Sequence, residues 1–257
     1  LKKAYRIIVI RYFRILYGKI EFKNNYKGNI QKFYLKKNNL QITNKKKYFV
    51  SILTNGRICT DSVEQVAYIL DNKILNDLSY TQINGKLTSP KRNFVIKKGT
   101  PYFLKKFNGT VLSLAQGASG DKNYFHWLFD SLQRAMLVVD KNKNLPLLVP
   151  EELFKKDYIS QSLEFLNLNY IVLKSNHIYK VKRLTVTSKT ALSGNYNEKI
   201  LASLVQLFKK NSETTHSNSI IKNTENLFIY RNRSVGRDIY NFDELQKTLF
   251  KYDYSLI

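Results

Sequence analysis

With 257 residues and 43% hydrophobic content, the chain is long and apolar enough for one large globular domain or two ordinary ones. Its lone cysteine, Cys59, excludes an internal disulfide and fits a reducing compartment, and no stretch approaches the ~20 uninterrupted apolar residues of a membrane span. The 43 Lys and Arg against 19 Asp and Glu give a formal charge of +24, which favours anionic partners: nucleic acid, acidic lipid or phosphorylated sugar donors.

In chain order, residues 1–20 read as a basic, aromatic, weakly amphipathic segment carrying Tyr5, Arg6, Arg11, Tyr12, Phe13 and Arg14. Ile7-Ile8-Val9-Ile10 is cut short by Arg11 and Arg14, so the segment as it stands reads as neither signal peptide nor anchor. It either rests on an acidic membrane surface or packs as an ordinary first helix. Residues 21–104 are a mixed region, with strand-like pieces at 48–53 and 92–96 and turn signals at Asn55-Gly56 and Asn84-Gly85.

From 105 the pattern becomes regular. Residues 110–114 read as a strand, Gln116-Gly117-Ala118-Ser119-Gly120 as a flexible turn, and 124–139 as a helix. Then come a buried strand at 145–149 ended by Pro150, a helix at 158–166, and strands at 170–173 and 181–187. A helix at 198–208 has Ile200, Leu201, Leu204, Val205 and Phe208 at helical spacing. Strands alternating with helices predict an α/β domain over 105–210, a parallel sheet with helices on its faces. The polar stretch 211–226 reads as a linker. Residues 227–257 then open a second β–α–β: a strand at 227–230, an arginine-bearing loop, a helix at 242–250 and a strand from 254. The chain starts on Leu1 rather than Met and stops inside that strand, so both ends read as cut.

The chemistry concentrates in Asn123-Tyr124-Phe125-His126-Trp127-Leu128-Phe129-Asp130, continuing to Arg134. His126, Asp130 and Arg134 stand at i, i+4 and i+8 of the predicted helix, on one stripe, each about 40° further round than the last. The remaining face carries Phe125, Leu128, Phe129, Leu132, Ala135, Met136 and Val139, enough to bury the helix against a sheet. A base, a carboxylate able to orient it and an anion-binding cation thus share one element. His177 and His216 have no carboxylate neighbours in pattern and are not read as functional; no His/Cys/Asp cluster has metal-ligand spacing.

These words resemble the Asn-Tyr-x-His-Trp-Leu-x-(Asp/Glu)-x-Leu-Pro-Arg signature of glycosyltransferase family 61, which includes bacterial capsular-polysaccharide transferases. Leu227-Phe228-Ile229-Tyr230-Arg231-Asn232-Arg233-Ser234-Val235-Gly236-Arg237 is similar to that family's strand ending in Ser-Arg with a second Arg after it. Asn241-Phe242-Asp243-Glu244-Leu245 stands where the family has Asn-Glu-x-Glu-Leu. The agreement covers roughly 105–257, with Gln133 in place of the usual Pro and Phe242 in place of an acidic residue.

The resemblance implies a GT-B-like architecture of two Rossmann-like halves, the second truncated here, behind a β-containing N-terminal region. It implies an inverting hexosyl- or pentosyltransferase that moves sugar from a nucleotide-sugar donor to a hydroxyl of a glycan or glycolipid acceptor. With no metal-ligand spacing and no Asp-x-Asp metal–diphosphate motif, a metal-independent mechanism is the expectation. Such a reaction needs a base for the acceptor hydroxyl and positive charge for the departing diphosphate. Either His126 is the base and Asp130 fixes its tautomer, or Asp130 is the base and His126 binds substrate. The start of a helix favours the neutral, base-competent imidazole. Asn123, Trp127, Arg134, Arg233 and Arg237 are the expected substrate contacts, with Arg231 ranked below them. Trp127 reads alternatively as core, and Arg134 as a one-turn partner of Asp130. The expected location is cytoplasmic, at the inner face of the cell membrane if residues 1–20 touch it.

Two other classes compete. The charge fits a non-catalytic binder of nucleic acid or acidic polymer, although none of the familiar nucleic-acid motifs is present and no specific nucleic acid is expected. The lysines are spread along the chain, as a solvated surface requires, and Lys, Asn, Ile, Tyr and Phe are the residues that AT-rich codons encode. The missing second half also allows an inactive remnant.

Overall fold

Thirteen strands and eight α-helices make up the described part of the chain. The structure is a computed structural model and describes residues 2–24, 26, 28–35, 48–60, 66–79, 81–83, 86–100, 102–114, 124–139, 144–174, 177–192, 194–214, 226–228 and 239–256. It divides into two compact units, Leu1–Ser212 and Glu213–Ile257.

The first unit opens with helix α1 (Lys2–Tyr17), ended by Gly18 at φ 80°, a backbone conformation that favours glycine. Strands β1 (Glu21–Phe22), β2 (Ile30–Tyr34), β3 (Phe49–Thr60), β4 (Val66–Leu70) and β5 (Lys73–Ile74) follow, then the hairpin β6 (Thr81–Ile83) and β7 (Lys86–Thr88). After the short helix α2 (Phe94–Lys98) come β8 (Leu104–Ser113) and a long helical stretch of α3 (Tyr124–His126), a π-helical turn (Trp127–Leu132) and α4 (Gln133–Val139). Strand β9 (Leu147–Pro150), helices α5 (Glu151–Phe154) and α6 (Asp157–Phe165), strands β10 (Tyr170–Leu173) and β11 (Ile178–Thr187), and helix α7 (Glu198–Thr214) complete it.

One nine-stranded sheet runs β1-β5-β4-β3-β11-β8-β9-β10, with β2 also paired to β3. Strands β11, β8, β9 and β10 are mutually parallel, whereas β3 pairs antiparallel with β11, β4 and β2. The expected parallel sheet is therefore one half of a mixed sheet. The other half comes from residues 21–104, joined through the long β3–β11 ladder, Val50↔Thr187 to Ile58↔Tyr179.

Among the described residues, helices cover one face of the parallel strands and not, as expected, both. On that face Leu112, Leu147 and Val149 meet Trp127, Leu132, Ile159, Leu163, Ile200 and Leu204 from the helices. On the other face Val111, Leu148 and Leu184 meet Tyr68 and Leu70 of β4, and no helical residue joins that cluster among the described residues. The sheet curls to make this possible. Tyr68 and Ser113 lie three strands apart, roughly 14 Å in a flat sheet, yet their hydroxyl oxygens are 2.8 Å apart.

Two local expectations fail for identifiable reasons. Residues 92–96 are not a strand: Asn93 accepts a hydrogen bond from the Val95 N–H at 3.2 Å and starts α2, with Pro90 opening the 3₁₀ turn before it. Asn55-Gly56 does not end β3. The strand passes through it with Asn55 at φ 57°, held by pairing to β11 on one side. The Asn84-Gly85 and Gln116–Gly120 turns lie outside the described residues, as does most of the 211–226 linker, of which residues 211–214 extend α7.

The second unit contains one described β–α–β: β12 (Asn226–Phe228), helix α8 (Phe242–Lys251) and β13 (Tyr254–Leu256), the two strands parallel. Asp243 and Glu244 in the first turn of α8 and Lys251 in its last suit the helix dipole.

Candidate active site

The helical stretch from Tyr124 to Val139 is anchored by its own apolar residues. Trp127, Leu132, Ala135 and Met136 enter the core, and the Trp127 indole N–H donates to Ser162 Oγ of α6 at 2.8 Å. The predicted helix is thus present but not uniform. A π-helical turn from Trp127 to Leu132 widens it, and such turns recur at functional sites. Asp130, Ser131, Gln133 and Arg134 are buried, whereas Phe125, Leu128 and Phe129 are only partly covered.

His126 and Asp130 meet as their spacing predicts. His126 Nδ1 is 2.7 Å from Asp130 Oδ2; the carboxylate side chain is 3% exposed and the imidazole 25%. An ionised carboxylate there takes the Nδ1–H and leaves Nε2 as the basic nitrogen. Phe125 stacks on Phe129 at 4.4 Å between ring centroids, and Phe129 lies 5.3 Å from the exposed Tyr196, so an aromatic ledge adjoins the imidazole.

The buried guanidinium of Arg134 crosses to a neighbouring strand, a partner that local spacing does not predict. Its Nε donates to Thr187 Oγ1 and its Nη2 to the Thr187 carbonyl, both at 3.2 Å. Thr187 is the last residue of β11. Strands β8 and β11 are parallel neighbours, and β9 flanks β8 on its other side. Ligands of open α/β sheets bind beyond the carboxyl ends of such adjacent strands, where connections diverge. His126, Asp130 and Arg134 follow β8, and Thr187 closes β11, so they gather at this edge.

One further charged residue stands there. Lys189, two positions past Thr187, is half-buried, and its ammonium nitrogen is shielded from solvent. Burial pushes its pKa down to about 8; Asp130 pulls it back up and Arg134 pushes it further down. No motif marks Lys189. The available signal was weak: a polar run, Thr187-Ser188-Lys189-Thr190, leaving a buried strand.

Gln133, the departure from the resembling signature, is fully buried and accepts from the Asn197 backbone N–H at 3.3 Å. Asn197 caps α7 by accepting from the N–H groups of Lys199 and Ile200, each at 3.1 Å, and donates to the Tyr48 hydroxyl at 2.9 Å. The Tyr48 hydroxyl in turn donates to the Thr190 carbonyl at 2.8 Å. The segment beyond β11 is thereby tied to the site helix.

Of the other predicted residues, Trp127 is sealed in the core, because its large apolar ring faces α6 across the widened turn. Asn123, Arg231, Arg233 and Arg237 lie outside the described residues, as does His216. Among the described residues no group of three His, Cys, Asp or Glu is placed to hold a metal ion. A cavity of about 510 Å³, lined by Tyr26, Lys32, Ser51, Asn76 and Asp77, shares no residue with the His126 cluster. Its floor, Leu75 and Leu78, belongs to the core on the opposite face of the sheet.

The model of the Glycosyltransferase 61 family matches residues 124–256, more than half of the chain and beginning at the first residue of α3. No curated protein and no solved structure matches the chain.

Proposed function

This chain belongs to glycosyltransferase family 61, and from that premise we propose an inverting transfer of sugar from a nucleotide-sugar donor to a hydroxyl of a glycan acceptor, with His126 as the base. The observation that carries the assignment is the 2.7 Å His126–Asp130 contact, in which the imidazole is the more exposed partner and the carboxylate is almost enclosed. An enclosed carboxylate is suited to orient, and a part-exposed ring nitrogen to meet a substrate.

In the proposed step the acceptor oxygen attacks the anomeric carbon from the face opposite the leaving group. The acceptor proton passes to His126 Nε2, and the bond to the diphosphate breaks with its electron pair going to the diphosphate oxygen. Asp130 holds Nδ1–H and stabilises the imidazolium that forms. Arg233 and Arg237 are assigned to the diphosphate, and Asn123 to substrate. Arg134 fixes the helix to β11 and adds positive potential beside the site. The route uses no metal. The order β10-β9-β8-β11 of parallel strands supports reading residues 105–210 as a Rossmann-like half, and the parallel β12–α8–β13 unit supports the start of a second one, as a GT-B-like enzyme requires.

The test is chemical rescue. With a panel of nucleotide sugars and glycan acceptors, His126→Ala is expected to lose about 10²–10⁴ in kcat and to recover part of it in added imidazole. Asp130→Ala is expected to lose activity without rescue by imidazole. Rescue of Asp130→Ala by formate, with His126→Ala active, would assign the base to Asp130 instead. Full turnover by both variants would remove the site.

A further inference from the structure

Helix α1 is attached to the body by one side only. Phe13 is buried, stacks with Tyr17 at 5.9 Å and meets Phe103 edge-on at 5.0 Å. Arg14 donates to the Lys97 carbonyl, and the Tyr17 hydroxyl accepts from the Leu104 N–H at 3.2 Å. Those contacts leave the other side in solvent, and it is not polar. Tyr5 is 71% exposed, Ile8 65%, Tyr12 53% and Ile15 88%, with Leu16 beside them. At 3.6 residues per turn these five side chains fall within an arc of about 100°, the width of an ordinary buried stripe, turned outward.

The surroundings of the stripe are basic and aromatic. The helix has Lys2, Lys3, Arg6, Arg11 and Arg14 and no acidic residue. Arg11 is exposed and lies about 40° round the helix from Ile15, on the edge of the stripe. Lys97 and Lys98 end α2, which Arg14 ties to the helix, and Phe103, itself 60% exposed, extends the apolar surface. A folded chain gains nothing by exposing such a stripe to water. Large apolar side chains with cations along their border match the boundary of a bilayer, where acyl chains receive the apolar face and anionic headgroups the cations. No described helix is long and apolar enough to span a membrane.

We propose that α1 is an interfacial helix that lays Tyr5, Ile8, Tyr12, Ile15 and Leu16 into the surface of an anionic lipid bilayer, with Arg11 and the end of α2 on the headgroups. This holds whatever the catalytic residues are, because it rests on α1 and α2 alone. Single weak signals rarely hold a protein on a membrane, and here an apolar stripe and a basic border act together.

The experiment is co-sedimentation of the full chain with vesicles of phosphatidylcholine alone and of phosphatidylcholine with about one-third phosphatidylglycerol, at low and high salt. The chain is expected to pellet with the anionic vesicles and to remain in solution with the neutral ones. Ile8→Asp with Ile15→Asp is expected to weaken binding at least about tenfold, and the milder pair Ile8→Ser with Ile15→Ser to weaken it in the same direction. Thermal unfolding should be unchanged, because both positions are exposed. Lys209→Gln with Lys210→Gln, a loss of two charges equal to that of the Asp pair and on the exposed side of α7, is expected to leave binding near wild type. The proposal is overturned if the chain ignores anionic vesicles, or if the Ile8/Ile15 variants pellet as well as wild type, which would assign binding to diffuse charge. It is also overturned if light scattering shows a dimer that the Ile8/Ile15 variants dissolve without any vesicle binding; the stripe would then belong to a second copy.

Discussion

Arg134 precedes Thr187 by 53 residues, yet its guanidinium donates to both the hydroxyl and the carbonyl of that residue. The helix bearing His126 is thereby fastened to the end of the strand that neighbours its own β8.

Arg134→Met should therefore act on structure and chemistry together. Two buried bonds from a charged donor are lost and the Thr187 hydroxyl loses a donor, so urea unfolding is expected to show a loss of about 2–4 kcal/mol. Arg134→Lys keeps the charge but not the fork and is expected to fall between wild type and Met. Equal stability of all three proteins would show that the join does not hold the helix.

Lys189 makes stability depend on pH in a defined direction. Its folded pKa lies at about 8, below the ordinary 10.5. Between those values the unfolded chain binds more protons than the folded one, so the folded state gains stability as pH rises from about 8 towards 10.5. Below pH 8 the buried ammonium is a penalty of order 1–3 kcal/mol. Lys189→Met is thus expected to be more stable than wild type at pH 7, with the gap closing by pH 10 in paired unfolding curves. A constant gap would mean that Lys189 titrates normally.

The same residue makes a kinetic prediction. If its ammonium supports the departing diphosphate, activity should decline above about pH 8 in wild type and persist to higher pH in Lys189→Arg, since guanidinium keeps its charge. Identical alkaline limbs in the two pH–rate profiles would remove Lys189 from the reaction.

Trp127 is expected to behave as a core residue. Trp127→Phe removes the bond to Ser162 and leaves unfilled volume, a loss of about 1–3 kcal/mol, while KM for the folded enzyme stays at the wild-type value. A large rise in KM with unchanged stability would return the indole to the substrate site.

The local elements were legible because periodicity is local. The helix at 124–139, the strand at 170–173 and the helix at 242–250 all occur close to where their apolar spacing puts them. The His126–Asp130 contact was legible for the same reason: residues four apart on a helix meet whatever the rest of the chain does. The misreadings came where tertiary pairing overrules a local signal. Asn55-Gly56 reads as a turn but continues as strand because β11 pairs along it, and 92–96 reads as strand but coils because Asn93 caps it.

By itself, then, the amino-acid sequence determined the alternation of strands and helices, the His126–Asp130 pair and the family signature. Each of these is read from residue types at short spacings along the chain. Only the tertiary structure decided that residues 21–104 complete the sheet that bears the candidate site, that the sheet curls until Tyr68 reaches Ser113, and that Arg134 reaches Thr187 at the end of β11. It also decided that α1 turns its apolar stripe outward. Those facts depend on pairings between segments distant in the chain, and such pairings are chosen by which combination buries the most apolar surface with every backbone group satisfied.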